Sequence, residues 1–212
     1  MKLLFIILAL LSANYGNAQN YKTLEDKTRM KEIIREMAAN TSSIQSDFLQ
    51  EKQLSFLTEK ITSRGKFYYQ KTDKIRWEYQ APFEYLIVFN GNDILLKDAD
   101  KTSHFNAEEN PLFSEINKMM MGTVNGSLFA NEEQFKTTAF ESKTEYKLQL
   151  IPLQSEMKSM IHSIHIFIDK EDLQVSTIQI NESEEDYTQI RFTNRKINHA
   201  LPEDIFTVYS DF

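Results

Sequence analysis

The stretch that decides the fold reads Gly65-Lys66-Phe67-Tyr68-Tyr69, then Lys74-Ile75-Arg76-Trp77-Glu78-Tyr79, then Pro82, then Leu86-Ile87-Val88-Phe89-Asn90-Gly91-Asn92-Asp93-Ile94-Leu95-Leu96. Large apolar and aromatic residues fall at every second position. Side chains at i, i+2 and i+4 of a strand share one face. Phe67 and Tyr69 therefore line up, as do Ile75, Trp77 and Tyr79. Lys66, Arg76 and Glu78 alternate with them and suit water. A sheet so aromatic on one face must bury that face against protein or ligand. Asn90-Gly91 between two apolar runs is a hairpin signal, because such turns need positive φ. Asp98-Ala99-Asp100-Lys101 is a weaker one.

Working outward, strands are expected at about 44–57 (bent), 63–70, 74–79, 85–89, 93–98 and 102–106, and again near 135–140, 146–152, 159–168, 174–181 and 187–196. Two segments keep a helical period instead. Over 24–39, Met30, Ile33, Ile34 and Met37 fall at i, i+3, i+4 and i+7. Thr23 with Asp26 three residues on is a capping signal. Over 111–121, Pro111 suits a first helical turn. Leu112, Phe113, Ile116, Met119 and Met120 then form an apolar stripe, and Gly122 can end it. About eleven antiparallel strands and two amphipathic helices give a mainly β, α+β chain. A flat sheet of that size is uncommon, so a strongly curved sheet or open barrel covered by the helices is expected.

The N-terminus reads as a secretory signal peptide, residues 1–18. Lys2 precedes the apolar run Leu3–Leu11, and Gly16-Asn17-Ala18 is a small-x-small cleavage site before Gln19. The run is too short to span a bilayer. Residues 19–212 are expected to form one domain, since no Pro/Gly/Ser-rich linker divides them. With no cysteine there is no disulfide and no residue for lipid attachment after cleavage. The formal charge of −7, with both signs interspersed and no basic stripe, argues against nucleic acid. The acidic run Glu182-Ser183-Glu184-Glu185-Asp186 lacks the spacing of a calcium loop and reads as a solvated turn.

Catalytic chemistry finds little purchase. There is no Gly-x-Ser-x-Gly elbow, no phosphate loop and no dinucleotide fingerprint. His162 and His165 are three apart, which on a strand puts them on opposite faces, so no metal and no cofactor are expected. Asp98 and Asp100 bracket a turn, where aspartate serves the backbone. A Met/Phe stripe at helical spacing is ordinarily core. A small secreted hydrolase with an unusual site is thus a weak reading, since no reactive constellation is present.

The order of motifs resembles the outer-membrane lipoprotein carrier family, the LolA-like periplasmic proteins. Phe48-Leu49-Gln50 is similar to its Phe-x-Gln, and Gly65-x-Phe67 to its Gly-x-hydrophobic strand. Arg76-Trp77-Glu78-Tyr79, Pro82 and Val88-Phe89-Asn90-Gly91 resemble its Arg-Trp-x-Tyr, Pro and Asp-Gly. Ile190-Arg191-Phe192-Thr193-Asn194, Asn198, Pro202 and Phe206 resemble its last strand and tail. The resemblance implies an unclosed antiparallel barrel with a helical lid over a hydrophobic cavity. It implies no catalysis but a monomeric shuttle, taking acylated lipoprotein from an inner-membrane releasing transporter to an outer-membrane acceptor. Another lipid or glycolipid is the alternative cargo, and a lipid-sensing regulatory binding domain is the alternative role, both ahead of a hydrolase. The cavity lining would be Phe48, Phe67, Tyr69, Ile75, Trp77, Tyr79 and Leu95. The lid would be Met30, Ile33, Ile34, Met37, Phe113, Ile116, Met119 and Met120. Family members commonly carry Arg-Pro six and five residues before the tryptophan, the arginine holding the lid shut. Here those positions are Lys71 and Thr72, which leaves Lys71 and Arg76 as candidate gate residues. Lysine keeps the charge but not the planar fork.

Overall fold

The computed structural model describes residues 20–71, 73–99, 101–109, 114, 121–122, 126 and 133–207. The expected signal peptide lies outside them, as do most of the second helix and its lid residues Phe113, Ile116, Met119 and Met120. The described chain forms β1 (Lys22–Thr23), α1 (Lys27–Asn40), β2 (Ser43–Gln53), β3 (Ile61–Gln70), β4 (Lys74–Ala81), β5 (Tyr85–Asn90), β6 (Asp93–Asp98) and β7 (Lys101–Asn106). After the second-helix segment come β8 (Phe135–Glu141), β9 (Glu145–Pro152), α2 (Ser155–Lys158), β10 (Ser163–Asp169), β11 (Val175–Asn181) and β12 (Tyr187–Ile197).

All twelve strands join one open antiparallel sheet in the order β1-β8-β9-β10-β11-β12-β2-β3-β4-β5-β6-β7. The chain thus makes two meanders, β2–β7 and β8–β12, sewn together where β12 pairs with β2. The expected strand 159–168 begins only at Ser163, because α2 occupies the preceding turn. β1 is an addition to the expected set: two residues with no apolar alternation, held by pairing Lys22 with Glu141 and Thr23 with Phe140.

That pairing moves the helix start. Thr23 lies in β1, and Asp26 is itself the N-cap, its carboxylate accepting from the Thr28 and Arg29 amides at 2.9 and 3.1 Å. Since β1 lies at the sheet edge and β2 near its middle, α1 crosses the face of the β8–β12 half. At its C-terminus the Thr41 hydroxyl donates to Met37 O at 2.7 Å, and Gln174 Nε2 donates to Thr41 Oγ1 at 2.9 Å. The Asn90-Gly91 signal marks a real hairpin, but Asn90 pairs with Asp93 and the turn residues are Gly91 and Asn92. Gly91, the first of them, takes φ +63°.

Two apolar clusters occupy the inner face. The first joins Met30, Ile34 and Met37 of α1 to Phe135, Ala139, Leu148, Leu150, Ile164, Ile166 and Ile168. The second holds Phe48, Phe67, Tyr69, Ile75, Trp77, Phe89, Ile94, Ile190 and Phe192, with Ala107 and Met121. Val175 and Ile178 touch both, so the clusters share one side of the sheet. Their odd spacing would divide them between faces in a regular strand. A bulge restores them to one face: Phe167 pairs with Thr177 but Ile168 with Val175, leaving Ser176 as the extra residue. A third cluster, Tyr68, Leu86, Val88, Leu95 and Phe206, lies on the outer face under the C-terminal tail.

Candidate functional site

The aromatic half of the inner face is built in registered rows. Phe48 pairs with Gly65 and Phe192, Gly65 with Tyr79, and Phe67 with Trp77. A Cβ on Gly65 would lie 1.8 Å from Glu78 O and 2.9 Å from Phe48 Cε1, so only glycine lets β4 close in beneath the Phe48 ring. Around that ring sit Trp77 at 5.2 Å and Tyr79 at 5.0 Å between centroids, the latter edge-on. Phe67 stands edge-on to Trp77 at 5.2 Å, and Phe192 lies 5.5 Å from Phe67. Each such pair contributes about 0.5–1.5 kcal/mol beyond its buried area.

Polar groups border this surface. The Tyr79 hydroxyl donates to Gln50 Oε1 at 2.9 Å, which explains the Phe-x-Gln spacing: Phe48 covers the glycine and Gln50 receives the phenol. Burial raises the Tyr79 phenol above its ordinary value, while the nearby Trp77 N–H opposes the rise. That N–H nevertheless reaches no acceptor with hydrogen-bond geometry among the described residues. Further along β2, Lys52 Nζ meets Glu182 Oε1 at 3.2 Å, and the Thr188 hydroxyl donates to the same oxygen at 3.1 Å.

Six of the seven expected lining residues come together here: Phe48, Phe67, Tyr69, Ile75, Trp77 and Tyr79. Leu95 does not. Alternation along β6 sends Ile94 inward and Leu95 into the outer cluster beneath Phe206. Met30, Ile33, Ile34 and Met37 are all buried on α1, and Met30, Ile34 and Met37 pack against β8–β10 and not over the aromatic half. The described residues that join the aromatic cluster from beyond the strands are Ala107 and Met121.

The gate candidates separate as well. Arg76 alternates with Ile75 and Trp77 and so faces outward. Its guanidinium grips Glu78 at 2.8 and 3.0 Å and donates to Ile205 O at 3.2 Å, tying down the C-terminal tail. Burial pushes Glu78 up, but hydrogen bonds from Arg76 and Gln80 and the charges of Arg76 and Lys66 outweigh it and hold the carboxyl below its usual value. Lys71 is exposed in the β3–β4 turn, its amide donating to Ser42 O at 2.7 Å. Ile190 and Phe192 complete the site from β12. Their alternation is visible in sequence, but their place beside Phe48 depends on a pairing across more than 140 residues.

The tail motif has a structural role too. Asn194 and Asn198 adopt φ +53° and +59°, a region asparagine tolerates. Asn194 Nδ2 donates to Asp47 Oδ2, and Asn198 Nδ2 to Asn40 O, both at 2.7 Å. Among the described residues, no group of three His, Asp or Glu side chains could hold a metal ion, and no helix is long and apolar enough to cross a membrane.

An open antiparallel half-barrel, apolar on its inner face and with a helix seated on one half of that face, is the class this arrangement defines. The family model "Outer membrane lipoprotein carrier protein LolA" matches residues 39–209, and the chain belongs to that family. An outer-membrane lipoprotein carrier protein of Coxiella burnetii (strain CbuK_Q154) is 24% identical over 144 residues, 68% of this chain; the chain spans 65% of that relative's length. An uncharacterized conserved protein from Thermus thermophilus has the same fold, with a TM-score of 0.55 at 10% identity over 85% of this chain and 94% of that one. A LolA-superfamily protein from Nitrosomonas europaea aligns with a TM-score of 0.44 at 10% identity, over 84% and 97% of the two chains.

Proposed function

We propose that this protein is a periplasmic carrier that binds the acyl chains of lipoproteins against its inner face and shuttles them from inner to outer membrane, without catalysis. One observation carries the reading. The inner face carries apolar clusters on both halves, yet among the described residues α1 packs on only one of them, and those that join the aromatic half from beyond the strands are Ala107 and Met121. Such a surface suits an exchangeable apolar guest. Membership of a lipoprotein-carrier family supports the identity of that guest. Its partners would be a releasing transporter at the inner membrane and an acceptor at the outer one.

The energetics favour a covered surface over an open one. Burial of each CH₂ is worth about 0.8 kcal/mol, so two acyl chains of about 15 methylenes could gain about 24 kcal/mol. Affinities stop near −18 to −21 kcal/mol, and a carrier must also release. A guest that spreads onto the β8–β12 half must lift Met30, Ile33, Ile34 and Met37 away from protein, which would cost about 6–12 kcal/mol at about 1.5–3 each. A lid of that size offsets the excess and leaves cargo transferable.

Native mass spectrometry of protein isolated from its own envelope tests the reading. A bound mass matching an acylated polypeptide, at one per chain, is the expected result. A bare mass, with no uptake of a fluorescent fatty-acid probe, would remove it. A glycolipid mass would redirect the cargo and keep the carrier.

A further inference from the structure

Two polar side-chain atoms on the aromatic half of the inner face are buried without a hydrogen-bond partner among the described residues: Trp77 Nε1 and Ser46 Oγ. Ser46 is 2% exposed and Trp77 6%. They are not scattered. Phe67 pairs with Ser46 on one side and with Trp77 on the other, so the two groups flank one phenyl ring in a single row. Their Cα atoms are about 10 Å apart, twice the spacing of neighbouring strands. The other such atom, His165 Nε2, belongs to a residue that alternates with Ile164 and Ile166 and so faces outward.

Buried donors are nearly always paired, because an unpaired one forfeits its bond to water. A phenylalanine at 77 and an alanine at 46 would serve the apolar cluster without that loss. The Tyr79 hydroxyl, which donates to Gln50, could still accept, but the Trp77 N–H does not reach its oxygen with hydrogen-bond geometry. Indole N–H can only donate, and a serine hydroxyl can donate. Both therefore call for an acceptor that arrives embedded in hydrocarbon. The carbonyl oxygen of an acyl ester or amide has that character; a plain hydrocarbon does not, and an alkyl ether lacks the carbonyl.

We propose that Trp77 and Ser46 form a carbonyl-recognition site that selects ester- or amide-linked acyl chains over alkyl chains of equal length. The inference rests on the carrier reading and deepens it. Trp77 Nε1 donates to one acyl carbonyl and Ser46 Oγ to another, fixing the depth at which the chains sit beside Phe67.

The test compares three guests by displacement of a fluorescent fatty-acid probe: a dipalmitoyl phosphatidylcholine, its di-O-hexadecyl ether counterpart, and a synthetic triacylated cysteine lipopeptide. Wild type should prefer diester to diether about tenfold. Trp77→Phe and Ser46→Ala should each remove most of that preference, and Ser46→Ala should do so with diether binding unchanged. Ser46→Ala should also leave the thermal midpoint of the free protein unchanged or raised, because its hydroxyl has no partner to lose. Equal wild-type affinity for diester and diether would overturn the proposal and leave the carrier reading standing. So would equal weakening of both guests by Ser46→Ala. Failure to bind all three would remove the carrier reading and this inference with it. Tighter binding of the lipopeptide than of the diester would support the site with acylated polypeptide as the carbonyl source; the reverse order would support it with phospholipid as that source.

Discussion

At the scale of single residues, Gly65 and His165 show how local chemistry becomes measurable. Gly65→Ala places a Cβ 1.8 Å from a backbone oxygen that cannot rotate away. The outcome is a stability loss of about 3 kcal/mol or more, among the larger single-site effects. Gly91→Asn is the contrast: nothing lies within 4 Å of its Cβ, and φ +63° suits asparagine, so the loss should stay within about 1 kcal/mol. Urea midpoints of the two variants measure both. His165 carries the acid response. Burial, then the charges of Lys147 and His162, lower its pKa from 6.5 to about 4. In the unfolded chain it takes a proton below about 6.5, whereas the folded chain resists until about 4. Stability is therefore full above that window and is lost as pH falls through it. His165→Gln should flatten the stability curve between pH 6.5 and 4; an unchanged slope would assign the acid response to other groups. The identity of Gly65 was readable in sequence, but its reason was not, because the clash involves Glu78 O from the neighbouring strand.

At the scale of elements, periodicity was sufficient wherever a segment had its own alternation. Met30, Ile33, Ile34 and Met37 announced α1, and Phe67, Tyr69, Ile75 and Trp77 announced which side of β3 and β4 is buried. It failed where geometry broke the period. Ser176 bulges out and brings Val175 and Ile178 to one face, and β1 has too few residues to show any pattern. Leu95 was misplaced because Leu95 and Leu96 are both apolar and β6 buries residues on both faces. The lid reading makes its prediction at this scale. α1 rests on its apolar stripe and on terminal bonds such as Gln174 to Thr41, whereas β2 is paired along both edges. Amides of α1 should therefore exchange through a lower-energy opening than those of β2 and β3. Ile34→Ala removes core contacts worth about 2–5 kcal/mol. It should accelerate α1 exchange while leaving β2 and β3 near their original rates at modest denaturant. Exchange of all three elements in one global step would rule out a helix that lifts by itself.

At the scale of the whole molecule, the deciding facts are pairings that no local signal encodes. β12 settles beside β2 and β1 beside β8, so residues from both ends of the chain share one inner face. Antiparallel order then sends the β2–β3, β4–β5, β9–β10 and β11–β12 connections to a single rim. The large apolar side chains exposed among the described residues all lie at that rim: Phe56 and Leu57 in the first loop, Ile61 at the start of β3, Phe83 in the second loop, and Ile151, Leu153 and Met160 around the third. Phe56 and Phe83, 77% and 81% exposed, stand at loop tips and contribute little to the core. The Lys52–Glu182 pair lies at the same rim, where the inner face turns polar. In a carrier, that rim is the side at which an acyl chain leaves one apolar surface before it reaches the next, and exposed phenylalanines shorten its passage through water. Phe56→Ser with Phe83→Ser should then shift stability by no more than about 0.5 kcal/mol per site, as befits exposed positions. Equilibrium affinity for a fatty-acid probe should be retained, because Trp77, Phe48 and their neighbours are untouched. The rate at which the probe moves between vesicles and protein should fall several-fold. A stopped-flow transfer assay separates these quantities. An unchanged rate with the wild-type affinity would mean that cargo passes by another side of the half-barrel, and a lowered affinity would place these loops within the binding surface itself.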